Sequence, residues 1–273
     1  IGAFGIVWAH GHLPGFLIAS SGLIIFILIS IHLLLSFNQN ICQRNKGTAA
    51  AFLASKRAVR LLVPWAFWTI VYGAINLILN KPFYGRYSFI VGSWIHLWYL
   101  PFMFVASCLI IFTRSEQYWY IPASLSIIML VTEFLWYPFS QTLEVPWMQW
   151  VNAAPAVLIA LSIHGADRWR KHYISIIASL LLVLLLSGHF EVAVPYIIGL
   201  GLFVIGLRVN LNYDSKVLYR IVASTYGIYL IHPLVYSVIY KIGFQSSIPM
   251  MLMVFMLSLF ASVVLTKTMK HLA

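Results

Sequence analysis

Uninterrupted apolar blocks constrain this chain more than any other feature. Ile174 to Leu186 and Met250 to Leu265 carry no charged residue and show no alternation, and about 20 such residues in a helix match the hydrocarbon thickness of a bilayer. Barrel strands would instead read as short alternating segments with a polar lumen face. Charged residues make up only 8% of the 273 and hydrophobic ones 62%, whereas a soluble domain carries about 25% charged residues. A water-exposed surface cannot be built from so few charges. The expected fold is all-α, a polytopic integral membrane bundle of about ten transmembrane helices.

The blocks place spans near residues 1–12, 15–37, 59–79, 93–113, 119–137, 150–164, 174–188, 192–208, 221–241 and 248–267. The first is too short to cross at about 1.5 Å per residue. The chain opens at Ile1 without a methionine, so its beginning is expected to be trimmed. Alternating the connections puts Arg44, Lys46, Lys56, Arg57, Arg60, Arg114, Arg168, Arg170, Lys171, Arg208, Lys216, Arg220, Lys267 and Lys270 on one side. Lys81, Arg86 and Lys241 fall on the other, a split of 14 to 3 among the 17 Lys and Arg. The positive-inside rule then predicts cytoplasmic N- and C-termini. Residues 1–273 read as a single membrane domain, with no soluble domain, linker, internal repeat or cleavable signal peptide.

The net charge of +11 sits in these connections, so it reports topology and contact with anionic membrane lipids rather than nucleic acid. Cys42 and Cys108 fall in no pairing or ligand motif, so neither a disulfide nor a metal site is expected.

Ionisable groups inside membrane spans are costly and therefore functional candidates. Arg57 and Arg60, three apart at the start of the third span and flanked by Lys56, share a helix face. Placed at a helix N-terminus they suit phosphates; the same three cations also suit an anchor that snorkels to headgroups. His10 ends the first block, where a neutral imidazole serves as a general base or as a hydrogen-bonded structural group. His96 lies in Trp94-Ile95-His96-Leu97-Trp98-Tyr99 and reads as part of a sugar-binding cluster or of an aromatic interface belt. His232 precedes Pro233, so the ladder there either exposes backbone to a cavity or is a packed kink. Glu133, a membrane carboxylate, needs a partner, with His10 and His96 as candidates. His32, His189 and Cys108 read as structural. Tyr84, Tyr87, Trp147 and Gln149 suit either a glycan or the interface belt.

Taken in order, these strings resemble the membrane-bound acyltransferase family 3, which includes bacterial O-acetyltransferases of surface polysaccharides and peptidoglycan. His10 falls where that family has a histidine ending its first helix, although the family's preceding arginine has no counterpart here. Phe26-Ile27-Leu28-Ile29-Ser30 is similar to its second-helix motif, with Ile31 in place of a glycine. Lys56-Arg57-Ala58-Val59-Arg60-Leu61-Leu62-Val63-Pro64-Trp65 is similar to its two-arginine motif and is the most specific match. His96-Leu97-Trp98-Tyr99-Leu100 and Tyr226-Gly227-Ile228-Tyr229-Leu230-Ile231-His232-Pro233 resemble two further signatures. The Trp98 string is similar to the single-domain branch.

The resemblance implies an O-acyltransferase of the bacterial inner (cytoplasmic) membrane. An acyl group, acetyl first among them, passes from cytoplasmic acyl-CoA to a hydroxyl of a cell-envelope glycan or lipid-linked sugar, without a metal. Arg57, Arg60 and Lys56 would hold the coenzyme A phosphates, and His10 would act as base with Glu133 as a second catalytic group. His96, Trp98, Tyr229 and His232 would line the acceptor side. The competing reading is a transporter or flippase for a lipid-linked sugar or small anionic solute, which also uses midplane ionisable residues and broken helices.

Overall fold

The computed structural model describes residues 1–11, 13–42, 49–113, 118, 120–167, 170–208 and 216–270. His12, Arg44, Lys46, Arg114 and Arg168 lie outside the described residues, as does the side chain of Cys42. Among the described residues the chain is helical and without strands. Helix α1 is Gly2–Ala9, α2 Phe16–Cys42, α3 Ala49–Ile78, α4 Ser88–Val91 and α5 Tyr99–Thr113, the last preceded by a 3₁₀ turn at Ile95–Trp98. There follow α6 Tyr120–Val131, α7 Glu133–Gln141, α8 Trp147–Asp167, α9 Arg170–Leu185, α10 Phe190–Arg208, α11 Lys216–Lys241 and α12 Ile248–Lys270. In hydrocarbon a helix satisfies its own backbone, which is why apolar blocks become helices and nothing else.

Among the described residues five helices are long and apolar enough to cross a membrane, and a sixth is added if α6 and α7 count as one bent span. α8 and α11 reach 21 and 26 residues but carry interspersed polar side chains, and α9 has 16 residues. α1 has eight residues, about 12 Å of helix. The outer faces are apolar: Phe260 is 70% exposed and Leu109 61%, values that suit lipid rather than water.

The helices form two compact units, residues 1–26 with 191–273, and residues 27–190. In the first, α1 packs on α11 and α12 around Ala3, Val7, Ile228, Met250, Met251 and Val254. Small residues bring α1 and α2 backbone to backbone: a Cβ on Gly5 would lie 2.6 Å from the Ala19 carbonyl, and one on Gly22 2.5 Å from the Gly2 carbonyl. Without a hydrophobic drive between helices in lipid, such close approach is what holds them. In the second unit α3 packs on α5, and α6, α8 and α9 pack on one another.

The expected fifth span is broken. α6 and α7 meet at a 72° bend at Thr132, where the Thr132 hydroxyl back-bonds to an already paired carbonyl and the Trp136 indole takes up the freed Met129 carbonyl. Thr132 Oγ1 donates to Ile128 O at 2.8 Å and Trp136 Nε1 donates to Met129 O at 2.5 Å. Irregular backbone within a membrane protein persists only when satisfied in this way.

Candidate functional site

In the first unit the end of α1 is fixed by polar contacts as well as by packing. Ser246 Oγ donates to Gly11 O at 3.1 Å and lies 3.4 Å from the Tyr236 hydroxyl, while Trp8 Nε1 donates to Pro14 O at 3.1 Å. A Cβ on Gly11 would meet the Met251 side chain at 2.9 Å, so a larger residue would push this end away. His10, the exposed C-cap of α1, is thereby held against His232 of α11, the ring centroids 4.9 Å apart and the planes tilted by 36°.

His232 is buried, 1% exposed, and its orientation follows from the residue after it. Pro233 has no N–H, so the Tyr229 carbonyl four residues back loses its helical donor. The His232 ring supplies the replacement: Nδ1–H donates to Tyr229 O at 2.8 Å and lies 3.1 Å from Ile228 O. With the proton on Nδ1, the neutral ring carries an acceptor at Nε2. α11 therefore runs through Pro233 as helix. Tyr229 stands beside His232, centroids 6.1 Å apart, with Phe26 6.3 Å from Tyr229 and tilted to it by 36°. Three residues singled out from the sequence, His10, Tyr229 and His232, thus form one cluster.

In the second unit a cavity of about 640 Å³ lies between α2 and α3, lined by Leu33, Leu34, Phe37 and Leu53 together with Lys56, Arg57 and Arg60. Among the described residues its lining has three cations and no acid. Arg57 Nε donates to Ser107 Oγ on α5 at 3.0 Å, and the Ser107 hydroxyl donates to Met103 O at 2.5 Å. One edge of the guanidinium is therefore aimed by the neighbouring helix. Lys56 lies over the Phe52 ring at 4.4 Å. The expected helix N-terminus is not here: α3 begins at Ala49, so Arg57 and Arg60 stand more than two turns into the helix, away from its free N–H groups. Ala49 to Ala54 are alanine, phenylalanine and leucine, mostly good helix formers, and the helix runs from them through Ser55, Lys56 and Arg57 into the apolar block.

His96 and Trp98 face the protein interior. They are buried in the 3₁₀ turn, 4% and 7% exposed, and His96 meets Tyr72 edge-on at 5.0 Å while Tyr72 stacks on Trp94 at 4.6 Å. Tyr99, the next residue, lies 3.4 Å from Ser30 of the second-helix motif. Glu133 opens α7 at the bend, 2% exposed. The histidine beside it is His189, neither His10 nor His96. Glu133 Oε1 accepts from Ser187 Oγ and, at 3.1 Å, from the His189 backbone N–H, with the ring nitrogen at 3.5 Å. The carboxylate ties the α9–α10 connection to the bend. Sequence reasoning missed this partnership because His189 is 56 residues away. It also missed the pairing of His32 with His164, whose Nδ1 atoms approach to 3.3 Å.

Apolar helices with lipid-suited faces, holding imidazoles, guanidiniums and a carboxylate within them, define a multi-pass helical membrane protein with ionisable groups inside its helical units. A family model described as an acyltransferase domain matches residues 1–267, and the chain belongs to that family, acyltransferase family 3. No curated protein and no solved structure matches it. The family membership supports a membrane acyltransferase.

Proposed function

We propose that this protein is a bacterial inner-membrane O-acyltransferase that moves an acyl group, acetyl in the first instance, from cytoplasmic acyl-CoA to a hydroxyl of a cell-envelope glycan or lipid-linked sugar. The observation that carries the reading is the cavity between α2 and α3. Its Lys56, Arg57 and Arg60 suit the polyanionic end of coenzyme A, and its leucine and phenylalanine wall suits the thin pantetheine arm. His10 is the general base: it takes the acceptor proton as the hydroxyl oxygen attacks the thioester carbonyl. The ester C–O bond forms, the C–S bond breaks, and the proton passes from His10 to the leaving thiolate as free coenzyme A. His232, its Nδ1–H held by Tyr229 O, packs on the His10 ring and positions it. The proposed topology has ten spans with both termini cytoplasmic.

The 72° break between α6 and α7 is the one observation that favours a transporter, since transporters bind substrate at discontinuous helices. The two readings separate on thiol release from acetyl-CoA by the purified protein in nanodiscs, with and without a cell-envelope glycan extract. The expected result is release that depends on the extract, is abolished by His10→Ala, and needs several-fold more donor for half-maximal rate in Arg60→Ala. Release that survives in His10→Ala removes the base assignment. No release from wild type shown to be folded leaves the transporter reading.

A further inference from the structure

The three cations that line the cavity between α2 and α3 are not alike. Arg57 is half-buried and turned toward α5, its Nε–H on Ser107 at 3.0 Å. Lys56 and Arg60 are exposed. On a helix of 3.6 residues per turn these two fall with Phe52, Val59, Val63, Phe67 and Ile70 in one stripe of α3, about 100° wide. The apolar members of that stripe are exposed, Val59 by 63% and Ile70 by 62%, so it is the face that α3 turns to lipid. Lys56 and Arg60 are therefore cations on a lipid-facing surface that is apolar from Val63 onward. The ion pairs among the described residues are Arg86–Glu144 and His189–Glu133, so neither cation has an acidic partner there. Long cationic side chains at the end of a lipid-facing stripe lie at headgroup depth.

α2 carries a matching stripe. Ile29, Leu33 and Phe37, four apart, are exposed, and Leu33 and Phe37 line the cavity together with Val59. Leu34 and Leu53 line it too and are buried. The cavity of about 640 Å³ thus opens sideways between two lipid-facing stripes. Buried leucines lie within it, exposed apolar side chains form its rim, and two exposed cations stand beside them.

We propose that this cavity is also a phospholipid seat, and that it takes an anionic glycerophospholipid from the leaflet on the side where α3 begins. The phosphodiester lies on Lys56 and Arg60, and one acyl chain runs along Leu33, Phe37 and Val59 over Leu34 and Leu53. A zwitterionic headgroup would bring its own ammonium against these cations, with no acid in the described lining to receive it. A free phosphate would leave the apolar rim without a role. Lipid and acyl-CoA use the same walls, so each excludes the other. The single phosphate of a lipid engages the two exposed cations, whereas the polyanionic donor engages Arg57 as well and so displaces it. The anionic lipid content of the membrane then sets how much donor the protein needs. The seat rests on the cavity lining alone; the competition rests on the acyl-transfer reading.

The test uses the full chain in nanodiscs of equal parts phosphatidylcholine and phosphatidylglycerol, and native mass spectrometry of the released protein identifies the lipids it keeps. Wild type is expected to keep phosphatidylglycerol in preference to phosphatidylcholine. Each cation near a membrane surface strengthens attraction to anionic lipid about fivefold, so the double variant Lys56→Ala with Arg60→Ala should keep at least about tenfold less. Leu33→Trp retains the cations but fills the cavity with an indole, and it should lose the lipid to a similar extent. Thermal unfolding in phosphatidylcholine nanodiscs reports that the variants are folded. Coenzyme A added to wild type is expected to release the retained lipid. No preference for phosphatidylglycerol, or equal retention by wild type and variants, overturns the seat. Retention that falls only in the double variant puts the lipid on surface charge outside the cavity and overturns it as well. Lipid that is lost in both variants but is not displaced by coenzyme A leaves the seat standing and removes the donor from this cavity.

Discussion

His232 does two jobs that substitution can separate. Its Nδ1–H occupies the Tyr229 carbonyl that Pro233 deprives of a donor, and its ring packs on His10. His232→Ala leaves that buried carbonyl unpaired, at a cost of about 1–3 kcal/mol in addition to the void. Pro233→Ala restores a backbone N–H at the right place. The double variant is therefore expected to recover stability that the single variant lost, whereas Pro233→Ala in the wild-type background gains little because the carbonyl is already occupied. Thermal unfolding of the four proteins in nanodiscs measures the coupling; additive effects would deny the carbonyl its role. Transfer should stay impaired in the double variant, because the imidazole beside His10 is still missing. The sequence marked His10, Tyr229 and His232 separately, each by an ionisable or aromatic group in an apolar block. Their meeting was invisible in it, since it depends on how α1 and α11 pack, over two hundred residues apart in the chain.

At the scale of elements, the bend between α6 and α7 is where apolar periodicity said least. No glycine or proline stands at residues 131–133, so nothing in the pattern separates a broken span from a straight one. The break shows instead in the partner that the Trp136 indole finds for the freed Met129 carbonyl. Glu133 sits at that point with its carboxylate turned to Ser187 and to the His189 N–H, the geometry of a tether between the bend and the α9–α10 connection. Both partners donate, so the amide oxygen of Glu133→Gln can accept the same bonds. The glutamine variant is expected to unfold at nearly the wild-type temperature and to transfer acyl groups within about threefold of wild type. Glu133→Leu removes Oε1, the acceptor that both bonds share, and should lose about 1–3 kcal/mol. A glutamine variant that stays folded but inactive would return Glu133 to the catalytic group that its position in the sequence suggested. The start of α3 teaches the same lesson from the other side. The apolar block predicted a span from residue 59, and the helix begins ten residues earlier, at Ala49, because helical propensity does not stop where hydrophobicity does.

For the molecule as a whole, charge bias and contacts within the second unit can be set against each other. The alternation of ten spans puts the connections after the third and fifth on the side that received few cations. Arg86 and Glu144, one from each of those connections, form an ion pair at 3.1 Å, as they must if both connections share a side. Both side chains are largely exposed, so the pair contributes little energy, but its existence restricts the topology. Among the described residues five or six helices meet the length and apolarity needed to cross on their own. The remaining proposed spans, α1, α8, α9 and α11, are shorter or more polar and would need neighbouring helices to shield them. The two topologies predict different sides for single cysteines introduced in a variant whose Cys42 and Cys108 are replaced. With ten spans, Arg86→Cys and Lys241→Cys are both labelled in intact cells by a membrane-impermeant maleimide, and Lys56→Cys and Arg208→Cys only after lysis. If α9 does not cross while its neighbours do, every position after it changes side relative to Arg86. Arg208→Cys would then be labelled from outside and Lys241→Cys would not. That pattern would place the end of α11 on the cytoplasmic side and require His10 and His232 to draw their acceptor from the same face as the donor.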